Sequence, residues 1–411
     1  MTLGKARPAV NTIAYNPPSP LEGKSPPTLL CIQMPRDEFQ VTSTVLEWAR
    51  RRAGMTVADL SAAFRNYAEW EKGQSGPTYA QLESLADKLK VPIAVFFFPH
   101  PPATPRIEET FRTLPDAVLD ELPSRMRLVL RKAKAFQLNV SELCGGVNPA
   151  ERLITRDLAF RGTEPVESMA RRVRSYLGVS IETQQSWASS DDALKNWRTV
   201  LQDVGVFTFK DAFQSPDYSG FCLTDPVFPI IYVNNTNAKN RQTFTLFHEL
   251  AHLLFSTSGI DSFRELPTNS ASSRKIEVTC NAFAAEFLLP AAEFQRARRG
   301  LPATEQTAVQ LASRYHVSRE SVFRRFLDTG EITSATYDGA VERWAQGREE
   351  GPPGGNYYNT KLAYLGRGYI GLALRAFHQN RITEAQLAQY LDVKPKNISA
   401  IEGKFLRGAV A

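Results

Sequence analysis

Residues 244–255 read Phe-Thr-Leu-Phe-His-Glu-Leu-Ala-His-Leu-Leu-Phe, and no other stretch constrains the fold as tightly. The spacing is helical, yet Phe247, Leu250, Ala251, Leu253, Leu254 and Phe255 clothe the helix so widely that it must lie inside a core. Two of the chain's five histidines, His248 and His252, sit four residues apart on it. Their imidazoles leave one helix face, one turn above the other, and supply two of the nitrogens that a tetrahedral Zn2+ prefers. Glu249 occupies the neighbouring face, where a carboxylate can take a proton from a metal-bound water without ligating the metal. His-Glu-x-x-His also arises by chance. What singles out this instance is its context: a buried helix directly behind a β-type segment.

A third protein ligand is needed if the fourth position is to stay open for water. No histidine closely follows His252, so a carboxylate on the next helical run, Arg274 to Leu288, is the alternative. Glu277 and Glu286 are the candidates. Glu277 shares a face with Asn281 one turn on, so Glu277 can ligate while Asn281 orients a histidine or the ligand itself. Glu286 lies about two and a half turns further, on the opposite side, where a carboxylate anchors a helix end or an arginine. Glu277 is preferred.

Around this centre the chain predicts an α+β fold, mostly α. Residues 1–28, rich in Pro, Ser and Gly, predict a disordered segment. Residues 29–105 predict short helices leaving through Pro99, Pro101, Pro102 and Pro105, and 106–165 a helical connector with one long helix from Leu122 to Leu143. The core that carries the zinc motif is placed at 166–300. There, helices at Glu167–Leu177 and Trp197–Val204 precede three short β-type runs, Val206–Phe209, Ser219–Leu223 and Pro229–Val233, which predict a small, mostly antiparallel sheet. Residues 301–350 read as a helix-turn-helix-like subdomain. Gly351-Pro352-Pro353-Gly354-Gly355 opens a linker and C-terminal helical domain, 351–411.

Bulk properties narrow the setting. No run approaches the ~20 apolar residues that cross a bilayer, and the N-terminus has no signal-peptide core, so a cytoplasmic protein without a membrane partner is expected. Cys31, Cys144, Cys222 and Cys280 show no C-x-x-C pairing, which argues against a cysteine-built zinc site or a disulfide framework. The net charge of +6 over 411 residues is too small by itself to imply nucleic acid. Arg50-Arg51-Arg52, Arg171-Arg172 and Arg324-Arg325 read as solvated helix faces.

From Phe207 to Pro290 the chain resembles the ImmA/IrrE metallopeptidases. The resemblance rests on Ile231-Tyr232-Val233-Asn234, Arg241, the run Phe244 to Phe255, and Glu277 with Cys280-Asn281-Ala282-Phe283-Ala284-Ala285-Glu286-Phe287-Leu288-Leu289-Pro290. It implies a gluzincin-like site of two histidines and one downstream glutamate, which supports Glu277. It also implies a zinc-dependent endopeptidase that cleaves a helix-turn-helix repressor in a mobile-element or stress-response circuit. The alternative is a non-enzymatic DNA-binding regulator or antitoxin with a structural zinc site.

The resemblance reaches outward. Leu46 to Pro102 is similar to the repressor-type helix-turn-helix fused ahead of such domains, but between Leu60 and Trp70 about one helical turn is missing. Arg65 and Lys72 can touch phosphates, yet little remains to read base edges, so protein docking is preferred to DNA binding for this module. Ala308 to Phe326 resembles the portion that follows the zinc site and is expected to pack on the core. Its His316 could stabilise an oxyanion, although a structural role is preferred. Gly354 through Leu391 resembles the C-terminal helical extension of larger members.

Overall fold

The computed structural model describes residues 38–102, 122–215, 217–256, 260–262, 271–346 and 356–407. The proline-rich start, Cys31, most of the polar stretch 257–270 and the linker 351–355 lie outside them.

The first helices are α1 (Ser43–Arg52), α2 (Val57–Ala63), α3 (Tyr67–Glu71) and α4 (Tyr79–Leu89). Thr56 with Asp59 and Thr78 with Gln81 form capping boxes that start α2 and α4, each satisfying amides that a helix start leaves orphaned. Val45, Leu46, Leu60, Tyr67, Trp70, Leu82, Leu85 and Phe96 close a separate small core. Helix α3 has five residues, and both Tyr67 and Trp70 point inward, while Glu71 is held by Arg50 at 2.7 Å.

The main body is built from α5 (Ser124–Leu143), α6 (Val166–Leu177), α7 (Ser190–Asp203), β1 (Phe207–Asp211), β2 (Tyr218–Leu223), β3 (Ile230–Asn234), α8 (Lys239–Leu254), β4 (Ile260–Ser262) and α9 (Ala271–Leu288). It continues with α10 (Ala291–Ala297), α11 (Glu305–Tyr315), α12 (Arg319–Asp328), α13 (Ser334–Gln346), α14 (Tyr357–Leu365), α15 (Arg367–His378), α16 (Glu384–Tyr390) and α17 (Ile398–Arg407). The sheet order is β1-β3-β2-β4. β2 pairs antiparallel with β3 and with β4, while β1 and β3 are parallel, so the sheet is mixed. No helix among the described residues is long and apolar enough to cross a membrane, and no disulfide joins Cys144, Cys222 and Cys280.

Both faces of the sheet are covered, which is why its strands read as unbroken apolar runs rather than alternating ones. Cys222, Ile231 and Val233 face the layer of α6, α7, α8 and α9. Phe207, Phe209, Phe221, Leu223, Ile230 and Tyr232 face α5 and the helices from α14 onward. On that second side Phe136 stacks on Phe209 at 4.9 Å and Phe221 on Tyr232 at 5.3 Å. The C-terminal helices therefore share a core with the sheet that carries the site. An ion-pair chain ties the layers together: buried Asp211 takes Arg125 at 2.8 Å and Lys132 at 3.0 Å, and Lys132 reaches Asp392 at 2.8 Å. Removing one partner would strand a buried charge.

Lys210, on β1, is buried beside Arg198 and Lys239. Burial, reinforced by those two cations, pulls its pKa down to about 6. Above that value and below the ordinary lysine range, the unfolded chain holds a proton that the folded chain lacks. Stability should therefore rise with pH through this window, and the full penalty applies below about 6. Lys210→Met should raise the denaturation midpoint at pH 6 and flatten that rise, as read by urea titrations across pH. An unchanged pH profile would contradict the assignment.

Candidate metal centre

Helix α8 lies between the sheet and helices α7 and α9. Phe247 stacks on Phe287 of α9 at 4.1 Å and meets Trp197 of α7 edge-on at 4.8 Å. These contacts set the rotation of α8, so the face bearing His248 and His252 turns toward α9. Both imidazoles and Glu249 are buried.

Glu277 and Asn281 rise from α9 opposite them. The two histidine Nε2 atoms are 3.1 Å apart. Glu277 Oε2 lies 3.4 Å from His248 Nε2, and Oε1 lies 3.2 Å from His252 Nε2. Asn281 Oδ1 is 3.0 Å from His248 Nδ1. An amide oxygen only accepts, so Nδ1 carries the proton and the Nε2 lone pair faces inward.

The donor set fits a small divalent cation. Its three ligand atoms lie within 4.8 Å of one another, and a tetrahedral site with bonds of ~2.0–2.1 Å has edges of about 3.3 Å. Nitrogen lone pairs aimed at a common point repel unless a positive charge lies between them. Cys280, one residue from Asn281, does not belong to this set: burial and the Glu277 and Glu249 carboxylates push its thiol up, so it stays protonated.

The other candidates lie elsewhere. Glu286 accepts the Ala291 amide at 3.1 Å at the start of α10 and pairs with Arg325 at 2.8 Å, the anchoring role its side of the helix implied. His316 closes α11 in the left-handed conformation, φ 56°, and is not gathered at the cluster. His378 pairs with Glu402 at 2.6 Å, and His100 is exposed.

The sequence reading missed the approach of β2. A Cβ on Gly220 would fall 2.4 Å from Thr245 Cγ2, 2.8 Å from the Tyr232 carbonyl oxygen and 3.8 Å from Glu249 Cγ. Only glycine lets this strand lie against the helix beside Glu249. A lone glycine inside an apolar β run was the available signal.

Residues 201–327 match the model of the IrrE N-terminal-like domain, the M78 peptidases. The match takes in β1 to β4, α8, α9 and the helices through Leu327, and it supports a protease of the ImmA/IrrE kind. None of the curated proteins matches the chain.

If His248, His252 and Glu277 hold a metal, Asn281, which meets His248 Nδ1 and lies outside the gathered ligand atoms, orients that ring, and Asn281→Ala should weaken metal affinity roughly 10–100-fold while leaving one site per chain. Competition with a chromophoric chelator reads this out. Unchanged affinity would remove Asn281 from the site.

Proposed function

We propose that this protein is a zinc-dependent endopeptidase that cleaves a regulatory protein of the helix-turn-helix repressor type, in a stress-response or mobile-element circuit. The observation that carries the reading is the triangle of His248, His252 and Glu277, with the buried Glu249 beside it, inside a stretch that matches a peptidase family. His248, His252 and Glu277 would hold the ion. When bound, zinc would supply Lewis acidity toward water and the scissile carbonyl.

The chain's own groups do the rest. Glu249 would take the proton of the attacking water and return it to the departing amine, a transfer worth about 10²–10⁴-fold in rate. Asn281 keeps the His248 lone pair directed at the centre. A substrate strand could be aligned by strand addition. β2 is already paired on both edges, to β3 and β4, so among the described residues the sheet edge on that side belongs to β4. The repressor substrate rests on the family resemblance.

Zinc-loaded protein should cut a helix-turn-helix repressor at one position, and a chelator should stop it. Glu249→Gln should lower the rate at least ~100-fold with zinc content unchanged. Cleavage by that variant at the parent rate would rule out the role of Glu249.

A further inference from the structure

The charge of this chain is unevenly placed. Residues 356–407 carry eight Lys and Arg against three Asp and Glu, a net +5 in a chain whose total is +6. That segment also contains a tight helix pair. α16 opens with a capping box of Thr383 and Gln386 and is followed by a short turn in which Asp392 adopts the left-handed conformation, φ 51°. The next helix begins as a single 3-10 turn at Pro395–Asn397 and runs on as α17 to Arg407. Leu387, Ala388, Leu391, Ile398 and Ile401 fasten the pair onto Ile370, Ala373 and Leu374 of α15. Lys132 and Lys361 hold the Asp392 carboxylate at 2.8 and 2.5 Å.

We propose that this helix pair is a helix-turn-helix that binds double-stranded DNA, with α17 as the helix entering the major groove. Ile398, Ile401 and Phe405 pack inward. α14 covers one flank, through Tyr358 to Asn397 and Lys404 to Asn359 at 2.9 Å. The remaining face carries Lys396, Ser399, Gly403 and Arg407 at helical spacing, with the exposed Leu406 beside them near the helix end and Lys394 in the turn just before it. Lys394, Lys396, Ser399 and Arg407 are exposed, and no described acidic group pairs with Lys394, Lys396 or Arg407. Ser399 and Gly403 add little bulk between the cations, so the helix can sit in a groove about 12 Å wide. The deep, narrow major groove of duplex RNA would not admit it.

Two other helix pairs lack these features. In the N-terminal module the equivalent of the second helix is the five-residue α3. In the pair α11–α12, Arg324 is tied to Asp328 at 2.8 Å and Arg319 lies over Trp344. The DNA site is separate from the metal centre, so its test is independent of peptidase activity.

The full chain should bind a labelled random duplex of about 30 base pairs in fluorescence anisotropy at about 50 mM salt, and weaken steeply as salt rises. Charge reversal at Lys394, Lys396 and Arg407 together should lower affinity at least ~10-fold and reduce the log–log salt slope by roughly 2–3. Reversal of Arg65 and Lys72 should change neither. With the unaltered chain, photocross-links from bromouracil-substituted duplex should map to 394–407, which keeps the test valid should the triple variant fail to fold. The proposal is overturned by no duplex binding at low salt, by a folded triple variant that binds like the parent, by equal affinity for duplex RNA, or by cross-links confined to 43–89.

Discussion

The packing of α8 against α9 governs the rest of the molecule. Phe247 and Phe287 meet face to face at 4.1 Å, and burying each ring stabilises the fold by roughly 1.5–3 kcal/mol. That contact fixes how far each helix is rotated. With α8 so set, His248 and His252 point at α9. With α9 so set, Glu277 and Asn281 point back. The apolar residues of both helices thus bury His248 and His252, which could not be buried on their own account, and set Glu277 and Asn281 opposite them.

The sheet supports this arrangement from behind. Gly220 brings β2 against Thr245 and Glu249, and the far side of the sheet is sealed by α5 and the helices after α14. The C-terminal segment has two consequences in one place. Its inner residues complete the core behind the metal centre, and its outer residues gather most of the chain's net positive charge. The Asp211–Lys132–Asp392 chain links β1 to the turn before α17, so the basic face is anchored to the body that carries the site.

Much of the site was legible because helical periodicity is a strong local rule. The i, i+4 spacing of His248 and His252, and that of Glu277 and Asn281, each fix a shared face, and the opposite placement of Glu286 followed from the same count. Strand existence was legible too, from β-branched and aromatic runs. Strand order was not, since buried apolar runs such as Ile230–Val233 carry no mark of which neighbour they pair with, and a mixed sheet with β1 beside β3 depends on non-local packing. β4 is three residues long within a polar stretch and offers no periodic signal. Other features were present but passed over. Ser189 accepts the Asp192 amide and starts α7 well before Trp197. The spacing of Leu387, Leu391, Ile398 and Ile401 around Asp392 already outlines a helix-turn-helix, which a reading of this segment as plain helices does not separate.

The central claim is that α8 and α9 together build one catalytic metal site. Crystals grown with zinc, measured on both sides of the zinc absorption edge, test it most directly. One anomalous peak per chain should appear, with the His248 and His252 Nε2 atoms and a Glu277 carboxylate oxygen each ~2.0–2.2 Å away. A peak elsewhere, or none at this triangle despite bound zinc, would contradict it.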